Sequence, residues 1–167
     1  MKQYTPPLDK TIYGKDSTWS TYKGGGCGIL SFTIVYRALG LAPEGETWLD
    51  TVLRLGSYAV KMGYRIKNNG TSSGLFGTNG CKYESLTKSA TAIENAIRSG
   101  HLVILHLAKG YANGYGGDGH YVVAYGIEDS YLLLRDVGAS APSRQKVLLS
   151  KCGSKLKGAY KMSRREG

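Results

Sequence analysis

Acidic residues, cysteine and phenylalanine are all scarce in this chain. Twelve Asp and Glu stand against 22 Lys and Arg, a formal charge of +10. Such an imbalance points to an anionic partner: a nucleic acid, a membrane surface or an acidic polymer such as bacterial cell wall. The basic residues are scattered except in the tail Lys151–Arg165. No nucleic-acid recognition motif is visible, so nucleic acid is not the expected partner. The cysteines number three, Cys27, Cys81 and Cys152, with no C-x-x-C spacing. That argues against a disulfide framework and a zinc ribbon. Cys81 with Cys152 is the one pair left open, and free thiols are the expectation. The three histidines lack any H-x-x-x-H spacing, and neither metal nor cofactor is expected. No run is apolar enough for a membrane span or a signal peptide, since residues 1–25 are polar and carry Pro6 and Pro7. A protein acting outside the cell would then leave without a classical signal, or after losing one.

What is abundant is glycine, 24 residues clustered in loops without a repeat, and tyrosine, 13 against two phenylalanines. Tyrosine suits grooves where the ring packs and the hydroxyl stays wet. With 167 residues and 41% hydrophobic content, one domain spanning 1–167 is expected. Within it, 1–26 reads as an extended arm and 153–167 as a basic segment closing as a short helix or strand.

The stretch Gly24-Gly25-Gly26-Cys27-Gly28-Ile29-Leu30-Ser31-Phe32 organises the rest. Helical spacing of Ile29, Phe32, Tyr36 and Leu39, with a second stripe of Leu30, Ile34 and Ala38, predicts a buried helix from Gly28 to Leu39. Gly40 and Pro43 end it. Cys27 then stands at a helix N-terminus, where unpaired N–H groups and the dipole favour a thiolate. A small buried hydrophobe capping a core helix is the plainer alternative. A second helix is expected over Thr47 to Met62, with Leu49, Val52, Leu53, Leu55 and Val60 inward. Asn68–Gly80 reads as a mobile surface loop. Thr91-Ala92-Ile93-Glu94 reads as a capping box opening a helix over Ala92 to Ser99.

Strands follow: His101–Leu107, Tyr121–Ile127, Tyr131–Arg135 and Gln145–Leu149. Helices first and strands second predict an α+β chain with an antiparallel sheet. His120 opens the second strand, behind a loop with glycines at 114, 116, 117 and 119, and Asp136 closes the third. A hairpin turn centred on Glu128 sets His120 opposite Asp136; one centred on Asp129 makes them diagonal neighbours. Either way the side chains share a face, within about 5–8 Å. A thiol nucleophile, an imidazole acid/base and a carboxylate that fixes its tautomer are what thiol hydrolysis needs. Cys27, His120 and Asp136 are the candidates, with Gly116–Gly119 leaving room above His120. A structural His–Asp hydrogen bond is the rival reading. His101 and His106 fit less well.

Tyr13-Gly14 through Ser17-Thr18, the Gly26–Phe32 stretch, Ile93–Leu105, Gly119-His120-Tyr121-Val122-Val123-Ala124-Tyr125-Gly126 and Leu134-Arg135-Asp136 resemble bacterial papain-like cysteine peptidases of the bacteriocin-leader-peptidase-like group. The resemblance runs from about Tyr13 to Asp136. It implies a papain-like fold, with helices packed on a C-terminal antiparallel sheet, and the triad Cys27, His120 and Asp136. Three positions depart from the pattern: Ile29 and Val137 stand where the family has Pro, and the family's Gln shortly before the Cys is missing. Gln3 reads as too distant to replace it. Ser20, Thr21 or Tyr22, with the Cys27 N–H, would then serve the oxyanion, and Gly26 and Gly119 would border the substrate.

The expected activity is cysteine hydrolysis of peptide or amide bonds, with bacterial cell-wall peptide as substrate on the strength of the positive charge, acting at the wall or in a virion. The alternatives are cleavage of leader peptides after paired glycines, or a binding module on the same scaffold with the triad unused.

Overall fold

The structure, a computed structural model, describes residues 2–3, 5–11, 13, 21–66 and 70–166. A one-turn helix, α1 (Tyr22–Gly25), leads into α2 (Cys27–Ala38). Gly26 makes this junction feasible, because a Cβ there would stand 2.3 Å from the Tyr22 carbonyl oxygen. The apolar circumference of α2 is buried as its spacing requires, through Ile29, Leu30, Phe32, Val35 and Tyr36. Thr47 caps α3 (Trp48–Lys61), its hydroxyl accepting the Asp50 N–H at 3.1 Å. Val52, Leu55 and Ala59 form the inner stripe of α3. Val60, expected inward, is 43% exposed because it falls off that stripe.

The remaining elements are β1 (Cys81–Ser85), α4 (Ala90–Arg98), β2 (Leu102–Leu107), β3 (His120–Glu128), β4 (Tyr131–Arg135), β5 (Lys146–Leu148) and β6 (Leu156–Arg164). They build a six-stranded sheet in the order β1-β6-β2-β3-β4-β5, every pair antiparallel. Alternate residues of β3 serve two cores. Tyr121 and Val123 join Ile29, Phe32 and Leu55 on the face covered by α2 and α3. Val122 and Ala124 join Ile93, Leu132 and Leu134 on the face covered by α4. Cys81 belongs to the first core and Cys152 to the second, both as free thiols, so the pair left open by the sequence does not form.

Two sequence expectations change, and a third, left open between helix and strand, resolves to a strand. Of the polar stretch 68–80, residues 68–69 lie outside the described residues, and 70–80 is anchored rather than loose: a 3₁₀ turn, Ser73–Gly77, buries Leu75 and Phe76 completely. Phe76 packs edge-on against Tyr121 at 5.4 Å. The cap of α4 is Ser89, which accepts the Ala92 N–H at 3.2 Å; the Thr91–Glu94 box already lies inside the helix. The basic C-terminal segment forms β6, paired on both sides by β1 and β2. Its apolar Leu156, Ala159 and Met162 are buried, while Lys157 and Arg164 point to water.

Candidate active site

Near the turn, the β3–β4 hairpin pairs Glu128 with Tyr131 and Gly126 with Leu133. Continued, that register would put His120 and Asp136 on opposite faces. A bulge at Tyr125 corrects it: beyond it Ala124 faces Leu134 and Val123 faces Arg135, the register of a turn centred on Asp129. His120 and Asp136 are therefore diagonal neighbours at one end of the hairpin. His120 Nε2 donates to Asp136 Oδ1 at 2.6 Å, with His120 7% exposed and Asp136 fully buried.

Every oxygen of Asp136 is occupied. Oδ1 also accepts the Gly138 N–H at 2.9 Å, and Oδ2 accepts from Arg144 Nη2 at 2.7 Å and Nε at 3.1 Å. The backbone is held as well. Gln145 Oε1 accepts the Asp136 N–H, and the Lys2 ammonium donates to the Asp136 carbonyl. Gly138 leaves the imidazole its place, since a Cβ there would stand 2.8 Å from His120 Cε1.

With Nε2 committed to Asp136, Nδ1 remains for the Cys27 thiol, to which the ring is hydrogen-bonded. Cys27 is the first residue of α2, half-buried, and no side chain caps the helix there. Burial alone would raise the Cys27 thiol. The hydrogen bond and charge of His120, with the backbone N–H groups of Tyr121 and Gly28, outweigh burial and hold it below its ordinary value. Burial likewise opposes the His120 imidazolium, yet Asp136 and Cys27 raise it to about 9. Burial would raise Asp136 too, and hydrogen bonds from His120 and Gly138 with the Arg144 charge keep it below the usual carboxylate range. These shifts favour a thiolate beside an imidazolium.

Cys27 lies where two recesses meet, of about 570 and about 320 Å³, both bordered by Gly70, Asp118 and Gly119. The larger is walled by Gln3, Lys23, Gly25, Tyr115, His120 and Arg144. The smaller holds Ser72, Ser73, His106, Lys157 and Tyr160. Gly119, at φ +98°, lines both recesses. Gly26 is buried and lines neither recess, and its neighbour Gly25, also buried, borders the larger one. Tyr22 is a core residue, 2% exposed, stacked on Tyr13 at 4.8 Å with its hydroxyl against Gly56. Its side chain therefore packs the interior and does not wall the cleft. Thr21 does not line either recess, and Ser20 lies outside the described residues.

Gln3, read as too distant, walls the cleft. Its segment returns to the site through its N–H on the Val137 carbonyl at 3.0 Å. The Gln3 side-chain Nε2 donates to the Lys23 carbonyl at 2.6 Å, which uses one of its two N–H groups. Tyr115 is the other group sequence reasoning missed. Its ring stacks on His120 at 5.0 Å, occupying part of the space assigned to the glycine loop. Arg144 and Gln145 carried one signal: they precede β5, which pairs with β4, so the second hairpin returns them to Asp136. His106 stacks on Tyr121 at 4.1 Å, and burial lowers it to about 4, so it is neutral near pH 7. His101 is remote, bonded to the Met162 carbonyl. Among the described residues no three His, Cys, Asp or Glu side chains cluster as metal ligands, and no helix is long and apolar enough to cross a membrane.

A helix-start thiol set against the end of an antiparallel hairpin, with helices on both faces of the sheet, is a papain-like α+β fold. Solved structures share it. A protein described as a C39-like peptidase from Bacillus anthracis superposes with a TM-score of 0.58 at 14% identity, over 85% of this chain and 90% of that one. The peptidase domain of Streptococcus ComA, a bi-functional ABC transporter involved in a quorum-sensing pathway, superposes with a TM-score of 0.54 at 16% identity, over 84% and 91%. No protein-family model matches the chain, and a search of curated proteins finds no significant relative. At these identities the likeness is one of fold.

Proposed function

We propose that the chain is a cysteine hydrolase of peptide or amide bonds, with Cys27 as nucleophile, His120 as acid/base and Asp136 as the group that orients it. The observation carrying this reading is an imidazole bonded through Nε2 to a buried carboxylate and through its other ring nitrogen to a half-buried thiol at a helix start. The Cys27 thiolate attacks the substrate carbonyl carbon. The first amides of α2 have no intrahelical acceptor and stabilise the oxyanion. The His120 imidazolium protonates the leaving amine, and His120 then takes a proton from the water that hydrolyses the thioester.

For the substrate, the charge of +10 supports bacterial cell-wall peptide. The second reading, cleavage of leader peptides after paired glycines, draws support from the fold shared with the ComA peptidase domain. Incubating the protein and Cys27→Ala with purified cell wall and with peptides containing paired glycines, then weighing the fragments, tests both. Fragments made only by the wild type identify the substrate. Fragments made equally by folded Cys27→Ala would refute the thiol mechanism.

A further inference from the structure

Arg144 touches neither the thiol nor the imidazole, yet it contacts both groups that hold the imidazole in place. Among the described residues it supplies both donors on Asp136 Oδ2, while His120 and Gly138 occupy Oδ1. Its guanidinium also lies over the Tyr115 ring, 5.5 Å from the centroid, and that ring stacks on His120 at an interplanar angle of 24°. Asn113 ties the two segments together: its Nδ2 donates to the Arg144 carbonyl and its Oδ1 accepts the Tyr115 N–H, each at 3.1 Å.

Building on the cysteine-hydrolase reading, we propose that Arg144 is a positioning residue for His120. It fixes the Asp136 carboxylate so that Oδ1 faces Nε2, and it holds Tyr115 as a cover over the imidazole. The terminal torsion of a carboxylate is broad and roughly two-fold, so a donor set on each oxygen is what fixes it. Only a planar fork places two N–H groups on one oxygen while stacking on an aromatic face; an ammonium is a point charge and does neither job as well. Tyr115 limits water at the ring, which strengthens the His120–Asp136 hydrogen bond.

The charges around Asp136 set the direction of the effect. His120 faces it from β3, Arg144 from the turn before β5, and Lys2 from the N-terminal segment through the Asp136 carbonyl, while Cys27 on α2 acts on it through His120. Arg135, the preceding residue, turns outward over Tyr125. Without Arg144, Oδ2 is buried and unpartnered, so Asp136 takes a proton more readily as pH falls. Neutral Asp136 no longer supports the imidazolium, and the thiolate then forms only at higher pH.

The test measures iodoacetamide alkylation of Cys27 against pH, by mass spectrometry, beside hydrolysis rates for wild type, Arg144→Gln, Arg144→Lys and Tyr115→Leu. In Arg144→Gln the acid limb of alkylation should rise by about 1 unit or more, with kcat down roughly 10–100-fold and KM within about twofold. Arg144→Lys should keep the limb and still lose about tenfold in kcat. Tyr115→Leu should lose roughly 3–10-fold with an unmoved acid limb. A folded Arg144→Gln protein with wild-type limb and kcat would overturn the proposal. If that variant does not fold, Arg144→Lys decides, and a wild-type kcat there is the overturning result. A wild-type Cys27 that alkylates no faster than a simple thiol below neutral pH would instead remove the cysteine-hydrolase reading on which the proposal rests.

Discussion

The two sides of the cleft are built by different means. Cys27 is placed by packing and backbone: an apolar helix, a glycine that lets α1 run into α2, and no capping side chain. His120 and Asp136 are placed by polar contacts, with Gly138, Arg144, Gln145 and Lys2 all bonded to Asp136. A nucleophile on a packed helix tolerates changes in its polar surroundings and little change in volume. A base held by a hydrogen-bond network responds to loss of charge or fork geometry. The proposed mechanism draws on both sides, and substitutions can separate them.

The largest effect should come from Cys27→Ala. Turnover should fall by more than about 10⁴-fold, toward the uncatalysed rate, while the far-UV spectrum and melting temperature stay near wild type. Next comes Gly138→Ala, a steric probe of the hairpin side. Its Cβ would meet His120 Cε1 at 2.8 Å and push the ring from the thiol. A displacement of that kind costs about 10²-fold. Steady-state kinetics on the folded variant check it, and an unchanged kcat would mean that the ring position is not critical.

The same contrast explains what could be read from the sequence. The Cys27 side was legible because apolar spacing over 29–39 and a flanking glycine are local signals. On the hairpin side, parity put His120 and Asp136 on one face. The register depended on a bulge at Tyr125, and nothing in the side chains there announces it. Gln3 and Arg144 come from outside the hairpin. Gln3 returns through backbone pairing with Val137, which leaves no residue-type signature. The sequence of the basic C-terminal segment leaves helix and strand both open because its apolar Leu156 and Ala159 feed one core and Met162 the other, so no period of two shows among its charges. Leu75 and Phe76 were submerged in a polar, glycine-rich composition.

Asp136→Asn probes charge on the hairpin side with little change in volume. An amide can offer either its NH₂ or its C=O to Nε2, so it no longer enforces the tautomer. The expected loss in turnover is roughly 10–100-fold, less than in a serine enzyme, because the thiolate leans less on its base. The pH profile carries the sign. His120 is raised to about 9 through Asp136 and Cys27, so removing the negative partner lowers it, and the basic limb should move to lower pH. An unmoved basic limb would mean that Asp136 does not support the imidazolium. Arg144→Gln should move the acid limb instead, which separates the two residues in one titration.

The smallest effect belongs to the two thiols that share Cys27's chemistry and lack its surroundings. Cys81 and Cys152 are fully buried, one in each core, and burial pushes both up to about 11. At pH 7 about one in ten thousand of such thiols would be ionised, and neither lines the two recesses at Cys27. Iodoacetamide should therefore label the native protein once, at Cys27, and label the other two only after unfolding. Cys81→Ala and Cys152→Ala should each leave turnover within about twofold. Each should still cost about 1–2 kcal/mol of stability, because a buried sulfur is replaced by a small void. Denaturant titration measures that cost. Since the two sites lie in separate cores, the double variant should lose the sum of the two within about 0.5 kcal/mol. A larger loss would reveal coupling through the sheet between them. Rapid labelling of either thiol in the folded protein would show that burial alone does not silence a cysteine here, and the contrast with Cys27 would then rest on His120 alone.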